Sequence, residues 1–480
     1  MKLKDNTIFR ITIISICTLI AFFGRFIPSF GELPQDAIGV LSIFVASIVL
    51  WLTIGIDWPS ILCILALGFI DTLGFSNVLI KSFGNTTFIF LLFTFALTYA
   101  LSKTCLIKKI AVGFVSTKIA RKNGYFFISL FLLAVLFLGL FISPSVLFVV
   151  ILPILEEIFK VANIEKGDKV AKVMMMGLGF TVSLSSGMTP IAHVFPILAM
   201  SAAGITISPI FYTLFAFPVG FISFILMLLV LLLIIKPDVS KFKDIEIDKI
   251  KENIPKINKN DIITLVVFIV VILLWVIPSL FKDISPEFYN AINKYGTAMP
   301  PILGTVILCM IRIDKKPLLN IVDAFKNGVP WASLLMCAST LALGYALTDN
   351  GIGIKAFLEN NLGPAILSLP GLLILIIFTV WAALQTNVSS NMVTATLVAT
   401  VAASILSSGN SDLAFNAVIA IIGMMASFAF ATPPSMPHIA IVAGSEYATT
   451  KDVLIFGSIL MVITIIISLL VGYPLGMLIL

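Results

Sequence analysis

Residues 206–235 read TISPIFYTLFAFPVGFISFILMLLVLLLII and contain no charged side chain. About 20 apolar residues in an α-helix cross the hydrocarbon core of a bilayer, so this stretch is long enough to span a membrane. The whole chain has the same character, because 60% of its 480 residues are hydrophobic and only 11% are charged. It has too few polar side chains to cover a soluble core. This composition excludes a water-soluble enzyme, a nucleic-acid-binding protein and a disordered chain.

Twelve further apolar stretches surround this one: 8–28, 36–56, 58–80, 86–102, 125–159, 173–200, 261–281, 297–313, 331–348, 364–408, 413–442 and 453–480. Two of them, 125–159 and 364–408, are longer than one span. Each is interrupted in its middle, at Ser143-Pro144-Ser145 and between Gln385 and Asn391. Irregular backbone at membrane depth predicts a helical hairpin that enters and leaves on the same side. We therefore predict an all-α polytopic membrane protein with about eleven transmembrane helices and two re-entrant hairpins.

The polar segment 236–260 alternates Lys with Asp and Glu and predicts a cytoplasmic linker. It separates an N-terminal half, 1–235 with its hairpin at 125–159, from a C-terminal half, 261–480 with its hairpin at 364–408. With the N-terminus in the cytoplasm and stretch 8–28 as a first span rather than a signal peptide, 25 of the 30 basic residues are cytoplasmic. The positive-inside rule supports this orientation. It predicts a multi-pass protein of the inner or plasma membrane with its C-terminus outside.

The two halves resemble each other in sequence. Residues 95–102, FALTYALS, match residues 341–348, LALGYALT, at an offset of 246. Ser143 and Ser390 align at 247, and the Thr-Pro pairs at 189–190 and 432–433 align at 243. Five predicted spans lie between the copies, which gives the copies opposite orientations. Inverted repeats with interrupted helices are typical of secondary transporters, whose substrate site lies where the repeats meet.

Several chemical functions are disfavoured by what the sequence lacks. All 24 acidic residues fall in loops or at the ends of predicted spans, whereas proton-coupled antiporters use intramembrane carboxylates. Lipid-linked transferases and intramembrane proteases require Asp-rich or HExxH motifs, which the sequence does not contain. The five cysteines show no CxxC spacing and are expected to be packed thiols. No cofactor is expected, although Na⁺ is a possible coupling ion.

Polar residues cluster at four places within the apolar stretches: Ser143-Pro144-Ser145, Thr181–His193, Gln385–Thr396 and Ala431–His438. An interrupted helix exposes backbone N–H groups that attract an anion, and the opposite carbonyls attract a cation. The alternative is that Ser and Thr bond back to their own helix and Pro only kinks it. The placement of the clusters in both repeats favours a substrate site.

Two histidines complete the candidate site. His193 and His438 each follow a Thr-Pro break and lie 245 residues apart. Their placement is compatible with substrate contact or proton sensing. The alternative interpretation is that each is a hydrogen-bonded packing residue near its helix break.

These motifs resemble those of the divalent anion/sodium symporter family, which carries dicarboxylates, citrate and sulfate. The similarity extends from about residue 36 to the end of the chain and is strongest around Ala431-Thr432-Pro433-Pro434 and the following Gly444 to Tyr447. Family members have a Ser-Asn-Thr motif at each hairpin tip. Here Ser390-Asn391 matches two positions and Met392 replaces Thr, whereas Pro144 and Ser145 follow Ser143 in the first hairpin.

The resemblance implies a homodimer with a scaffold domain and a mobile, elevator-type transport domain. It implies that Ser143, Ser145, Ser390 and Asn391 contact both the substrate and Na⁺. It also places Thr189-Pro190 and Thr432-Pro433 in unwound loops opposite the hairpins.

The leading hypothesis is therefore a secondary active transporter of small divalent organic anions, such as C4-dicarboxylates, driven by Na⁺ symport. A cation-independent anion exchanger is the closest alternative. A cation/proton antiporter and a non-transporting sensor are less favoured. The expected partners are the anion, Na⁺, the lipid bilayer and a second copy of the chain, with no nucleic acid.

Overall fold

A computed structural model describes residues 7–28, 33–191, 193–242, 254–280, 284–349, 351–354, 357, 369–406 and 413–480. Residues 243–253 of the predicted linker, and residues 364–368, 407 and 408 of the predicted second hairpin, lie outside this part of the chain. The described residues are almost entirely helical, which confirms the predicted fold class.

Helices of the N-terminal half are numbered in chain order: α1 Thr7–Phe23, α2 Gln35–Thr53, α3 Trp58–Gly68, α4 Phe75–Ser82, α5 Thr86–Ser102, α6 Leu106–Val115, α7 Lys118–Lys122, α8 Gly124–Gly139, α9 Pro144–Val161, α10 Lys169–Gly187, α11 Phe195–Ala202 and α12 Pro209–Ile235. Short 3₁₀ turns lie at Gly24–Phe26 and Ser240–Phe242.

Helices of the C-terminal half continue the numbering: α13 Lys259–Leu280, α14 Pro286–Asn293, α15 Met299–Met310, α16 Ile321–Gly328, α17 Trp331–Thr348, α18 Gly371–Val388, α19 Asn391–Leu406, α20 Phe415–Ser427, α21 Pro437–Gly444, α22 Thr450–Ile467 and α23 Tyr473–Ile479. The last turn of α16 is a π-helix, as are residues Ser468–Gly472. A two-residue antiparallel hairpin pairs β1 Arg312–Ile313 with β2 Lys316–Pro317.

The helix interruptions predicted from the sequence are present. The first predicted hairpin is divided into α8 and α9 between Gly139 and Pro144, and the second into α18 and α19 between Val388 and Asn391. Stretches 173–200 and 413–442 are each divided in the same way. Breaks therefore coincide with the polar and proline positions, because these residues remove or compete for helical hydrogen bonds.

Eight helical segments in the described residues are long and apolar enough to cross a membrane. The count becomes nine if α16 and α17, which meet at an 82° bend, form one span. Several predicted spans consist of two shorter helices, and a helix of that length cannot cross the bilayer on its own. The figure of eleven spans and the re-entrant course of the hairpins stay predictions.

Two segments form the centre of the molecule. Every residue from Val173 to Ile191, along α10, is buried, and so is every residue from Ala417 to Ala431, along α20. A helix that is apolar and buried on all sides lies in the interior of a protein rather than against solvent or lipid. Helix α10 runs into the first break, between α10 and α11, and α20 runs into the second break, between α20 and α21. Both breaks therefore begin inside the molecule.

The beginning of the linker is attached to α10. The Nζ atom of Lys241 lies 2.7 Å from the Oδ2 atom of Asp168, the residue before α10. This hydrogen bond lowers the pKa of the Asp168 carboxyl below its usual value. Both side chains are about one-third exposed, so the pair contributes little stability and mainly fixes the course of the chain.

Helix α22 packs so closely against the second break at Gly457 that this position should not tolerate a side chain. A methyl group at its Cα would lie 2.4 Å from the Phe430 carbonyl oxygen and 2.6 Å from the Ala431 Cα. Because both neighbours are backbone, Gly457→Ala should cost about 1–3 kcal/mol of stability. The measurement is the melting temperature of the detergent-solubilised protein. Gly113→Ala in α6 is the control, since no atom lies within 4 Å there. Equal melting temperatures for both variants would contradict the prediction.

Candidate functional site

A cavity of about 630 Å³ lies between the helix breaks and a wall made by α5, α16 and α17. Its lining includes exposed residues, such as Lys103, Asn327 and Ser145, and buried residues, such as Ile142 and Phe195. The cavity therefore runs from the surface into the interior of the molecule.

All four polar clusters predicted from the sequence contribute to this cavity. The first gives Ser143, Pro144 and Ser145; the second gives His193; the third gives Met392; and the last of the four gives Met436 and Pro437. Residues more than 290 positions apart in the sequence thus surround one space. The clusters meet at one site, although only some of their members line it.

Four helices begin at the cavity wall. Helix α9 begins at Pro144, α11 at Phe195, α19 at Asn391 and α21 at Pro437, and in each case the first helical residue or an adjacent one lines the cavity. The first N–H groups of a helix have no partner within the helix, and its N-terminus bears a partial positive charge. The four N-termini together give the cavity a positive potential without a buried cationic side chain.

One side of α5 forms the opposite wall. Phe95, Thr98, Tyr99 and Ser102 line the cavity; the last three follow Phe95 by three, four and seven positions, as one face of a helix requires. Ser333 of α17 adds another hydroxyl. The hydroxyls of Thr98 and Ser102 donate to the carbonyls of Phe95 and Tyr99 in their own helix. The wall therefore offers their oxygens as acceptors to a space whose other side consists of helix N-termini.

Asn387 holds the second break together. Its Oδ1 atom accepts hydrogen bonds from the backbone N–H groups of Phe430 (2.8 Å) and Ala431 (2.7 Å). Its Nδ2 atom donates to the carbonyl oxygens of Ala383 and Phe428, and its own carbonyl accepts from the hydroxyl of Thr432. A buried asparagine with its donors and acceptors paired in this way fixes an irregular backbone.

The first break is packed against the second. The hydroxyl of Ser183 donates to the carbonyl of Ala429 at 3.0 Å, and the hydroxyl of Ser186 lies 3.5 Å from the carbonyl of Ser427. Thr189 is buried, and its hydroxyl accepts from the backbone N–H of Ile191 at 3.0 Å. Pro190 is buried as well and lies against a separate cleft of only about 40 Å³.

The predicted residues of the second hairpin do not line the cavity. Ser390 is the residue before α19, and its hydroxyl accepts from the Val393 N–H at 3.4 Å. Asn391 is buried at the start of α19, and Thr432 and Pro433 are half-buried at the second break. Their neighbour Met392 lines the cavity instead.

The two histidines have different surroundings. His193 is half-buried and lines the cavity, and its Nδ1 atom accepts from the Val194 N–H at 3.1 Å. His438 is buried among protein atoms, with its Nε2 atom 2.8 Å from the Ser183 hydroxyl and its ring 5.7 Å from the ring of Phe148. Only His193 is therefore placed to meet a molecule in the cavity.

Apolar helices long enough to span a membrane, with an interior cavity walled by helix breaks, define a polytopic membrane transport protein. A sequence profile of the citrate transporter family matches residues 44–423. The chain belongs to this family, which confirms the family resemblance found in the sequence. It is a transporter and not an enzyme.

Two curated relatives are similar to this chain at low sequence identity. The sodium-dependent dicarboxylate transporter SdcS of Staphylococcus saprophyticus subsp. saprophyticus is 23% identical over 413 residues, covering 82% of this chain and 76% of the relative. An uncharacterized transporter of Haemophilus influenzae is 22% identical over 358 residues, covering 74% of each chain.

Sequence reasoning missed Asn387 and the hydroxyl groups of α5. Asn387 lies within the cluster Gln385–Thr396, but its role depends on Phe430 and Ala431, which are more than 40 positions away. The α5 residues belong to the repeated segment 95–102. The spacing of Thr98 and Ser102 was a usable signal, since residues four apart share one face of a helix.

Removing the side chain of Asn387 should open the second break. Asn387→Ala leaves two buried N–H groups unpaired, at a cost of about 1–3 kcal/mol each. We expect a clear fall in melting temperature and a loss of substrate uptake. Asn416→Ala is the matched control, because it removes one bond, to the carbonyl of the C-terminal Leu480. An equal or smaller effect at position 387 would refute the assigned role.

Proposed function

We propose that this protein is a secondary active transporter of small divalent organic anions of the C4-dicarboxylate type, coupled to Na⁺, in the cell membrane. The observation that carries the proposal is the convergence of four helix N-termini on one cavity. The family membership and the printed function of the staphylococcal relative support the same class of substrate.

The cavity offers several groups to a carboxylate. Each helix N-terminus contributes about 0.3–1 kcal/mol of stabilisation to an anion, and more where the site is partly buried. The hydroxyl groups of Ser143, Ser145 and Ser333 can donate hydrogen bonds from opposite walls. A dianion with a carboxylate at each end can therefore use both walls at once.

His193 adds a directed donor. Because its Nδ1 atom accepts from the Val194 N–H, the proton of the neutral ring lies on Nε2. Such a ring donates one hydrogen bond to a carboxylate without a net charge. The role we assign to His193 is thus that of substrate contact, and the role of His438 is to join α21 to α10 through Ser183.

The coupling ion requires oxygen ligands. The gap between α8 and α9 has the C-terminal carbonyls of α8 on one side and Ser143 and Ser145 on the other, and neutral oxygens of this kind suit Na⁺. At the second hairpin, Met392 supplies a thioether to the cavity where a threonine would supply a hydroxyl. We place Na⁺ at the first hairpin, although Ser390 and Asn391 are candidates at the second.

We further propose that the protein is a homodimer and that it transports by an elevator movement. In this movement the hairpins and the central helices slide against α5, α16 and α17. This proposal rests on the family resemblance and on the position of the cavity between these two groups of helices.

Uptake of labelled succinate into proteoliposomes tests this function. We expect uptake to require an inward Na⁺ gradient and to fail with an equal K⁺ gradient. Unlabelled malate or citrate should compete for uptake, whereas a monocarboxylate of similar size should not. Uptake that ignores Na⁺ but needs anion inside the vesicle would indicate an exchanger. Absence of binding and uptake for all these anions would refute the proposal.

The histidine pair provides a second test. His193→Gln should raise the KM for succinate several-fold with little change in melting temperature, since it alters a group that lines the cavity. His438→Gln should lower the melting temperature, because its partner Ser183 is buried. The two variants are each other's controls. Identical effects on both KM and melting temperature would contradict the assigned roles.

A further inference from the structure

The similarity between the halves continues beyond the segments recognised in the sequence. At the same offset of 246, Asn77 and Lys81 in α4 correspond to Asp323 and Asn327 in α16, and Tyr99 corresponds to Tyr345. Lys103, directly after α5, corresponds to Asp349, directly after α17. The structure gathers these eight residues into two clusters, each built from both halves of the chain.

The mouth cluster consists of Tyr99, Lys103, Asp323 and Asn327. The hydroxyl of Tyr99 donates to Oδ2 of Asp323 at 2.9 Å, and Nδ2 of Asn327 donates to Oδ1 at 2.6 Å. The Nζ atom of Lys103 lies 4.7 Å from the centre of the Tyr99 ring. These contacts place a cation beside the opening of the cavity and hold it there.

The mate cluster consists of Asn77, Lys81, Tyr345 and Asp349. The Nδ2 atom of Asn77 donates to the hydroxyl of Tyr345 at 2.8 Å, and the Nζ atom of Lys81 lies 5.0 Å from the centre of the Tyr345 ring. In both clusters a tyrosine of one half is hydrogen-bonded to a helix of the other half, Tyr99 to α16 and Tyr345 to α4. The mate cluster repeats the architecture of the mouth cluster with the charges exchanged, since Asp349 takes the position of Lys103.

Lys103 differs from the other charged members of these clusters. Of the described residues that line the cavity, it is the one with a permanent charge. Its side chain is exposed, as are those of Asn327 and Pro330 on the same wall and of Ser145 and Pro437 at the helix N-termini opposite. Lys103 therefore places a positive charge at the exposed mouth of the cavity, across from these N-termini.

We propose that Lys103 is the residue that recruits the substrate at the mouth of the cavity and favours dianions over monoanions, and that Asp323 limits this attraction. The inference rests on the proposed function. A charge at the mouth attracts an anion through solvent, so it changes the rate of entry and its dependence on ionic strength. Because Asp349 occupies the equivalent position in the mate cluster, the same recruitment does not operate there.

Substitutions at Lys103 and Asp323 should have opposite effects. Lys103→Gln should raise the KM for succinate about three- to tenfold at low salt. The variant loses one positive charge, and the Coulomb attraction that is lost is twice as large for a dianion as for a monoanion. The increase should be smaller for a monoanion and should disappear near 1 M salt. Asp323→Asn keeps an acceptor for Tyr99 but removes the negative charge, so it should lower the KM. A purely structural role for the Lys103–Tyr99–Asp323 contacts would instead make both variants worse.

A thiol probe measures the charge at the mouth without transport. Ser145→Cys places a thiol at an exposed position of the cavity lining, in a background where Cys105 and Cys309 are serine. We expect the ratio of labelling rates for an anionic and a cationic methanethiosulfonate to fall several-fold on adding Lys103→Gln. Lys103→Arg should retain the ratio. Lys81→Gln in the mate cluster is the matched control and should also leave it unchanged.

The outcomes separate this inference from the proposed function. An unchanged labelling ratio in Lys103→Gln overturns the recruitment by Lys103, whether or not succinate is transported. A lowered ratio with no uptake of any dicarboxylate by the wild-type protein refutes the proposed function and, with it, the role of Lys103 in selecting dianions. A lowered ratio, with the opposite KM changes of Lys103→Gln and Asp323→Asn, supports both.

Discussion

The structure depends on one constraint, which is that a helix broken inside a membrane must find partners for its free backbone groups. The second break meets this constraint within the protein, because Asn387 accepts from two N–H groups and donates to two carbonyls. At the 247-residue offset of the hairpin tips, the first half has Leu140 in its place. The two halves share a pattern of breaks, but the amide that closes the second break has no counterpart in the first.

This constraint also explains why hydropathy and proline positions predict so much of the fold. Apolar stretches must be helical in a bilayer, and a helix must end where proline or several hydroxyl groups interrupt it. The ends of α8 and α18 therefore follow from local sequence. The 82° bend between α16 and α17 does not, because a proline such as Pro330 marks where a helix ends and does not set the direction of the next helix.

The candidate site was predictable at the level of clusters but not of single residues. Consecutive residues at the start of a helix point about 100° apart, so a cluster can reach the cavity through some of its members and not through others. Ser390 caps α19, Asn391 is buried, and Met392 lines the cavity. The repeated segment 95–102 carries two kinds of information at once, since it marks the repeat and also lines the cavity with Thr98, Tyr99 and Ser102.

A cavity lined by helix N-termini and hydroxyl groups suits a molecule that must bind its substrate and then release it. A buried arginine or lysine would require an anion as a permanent partner, since an unpaired buried charge is costly. The partial charges of N–H groups at the starts of α9, α11, α19 and α21 attract an anion less strongly than a buried cationic side chain would. Because these groups belong to the backbone, their positions in the cavity are fixed. The one permanent cation that lines the cavity in the described part of the chain lies at its exposed end. Solvent screens its attraction there, so it can speed the arrival of an anion without holding the anion inside.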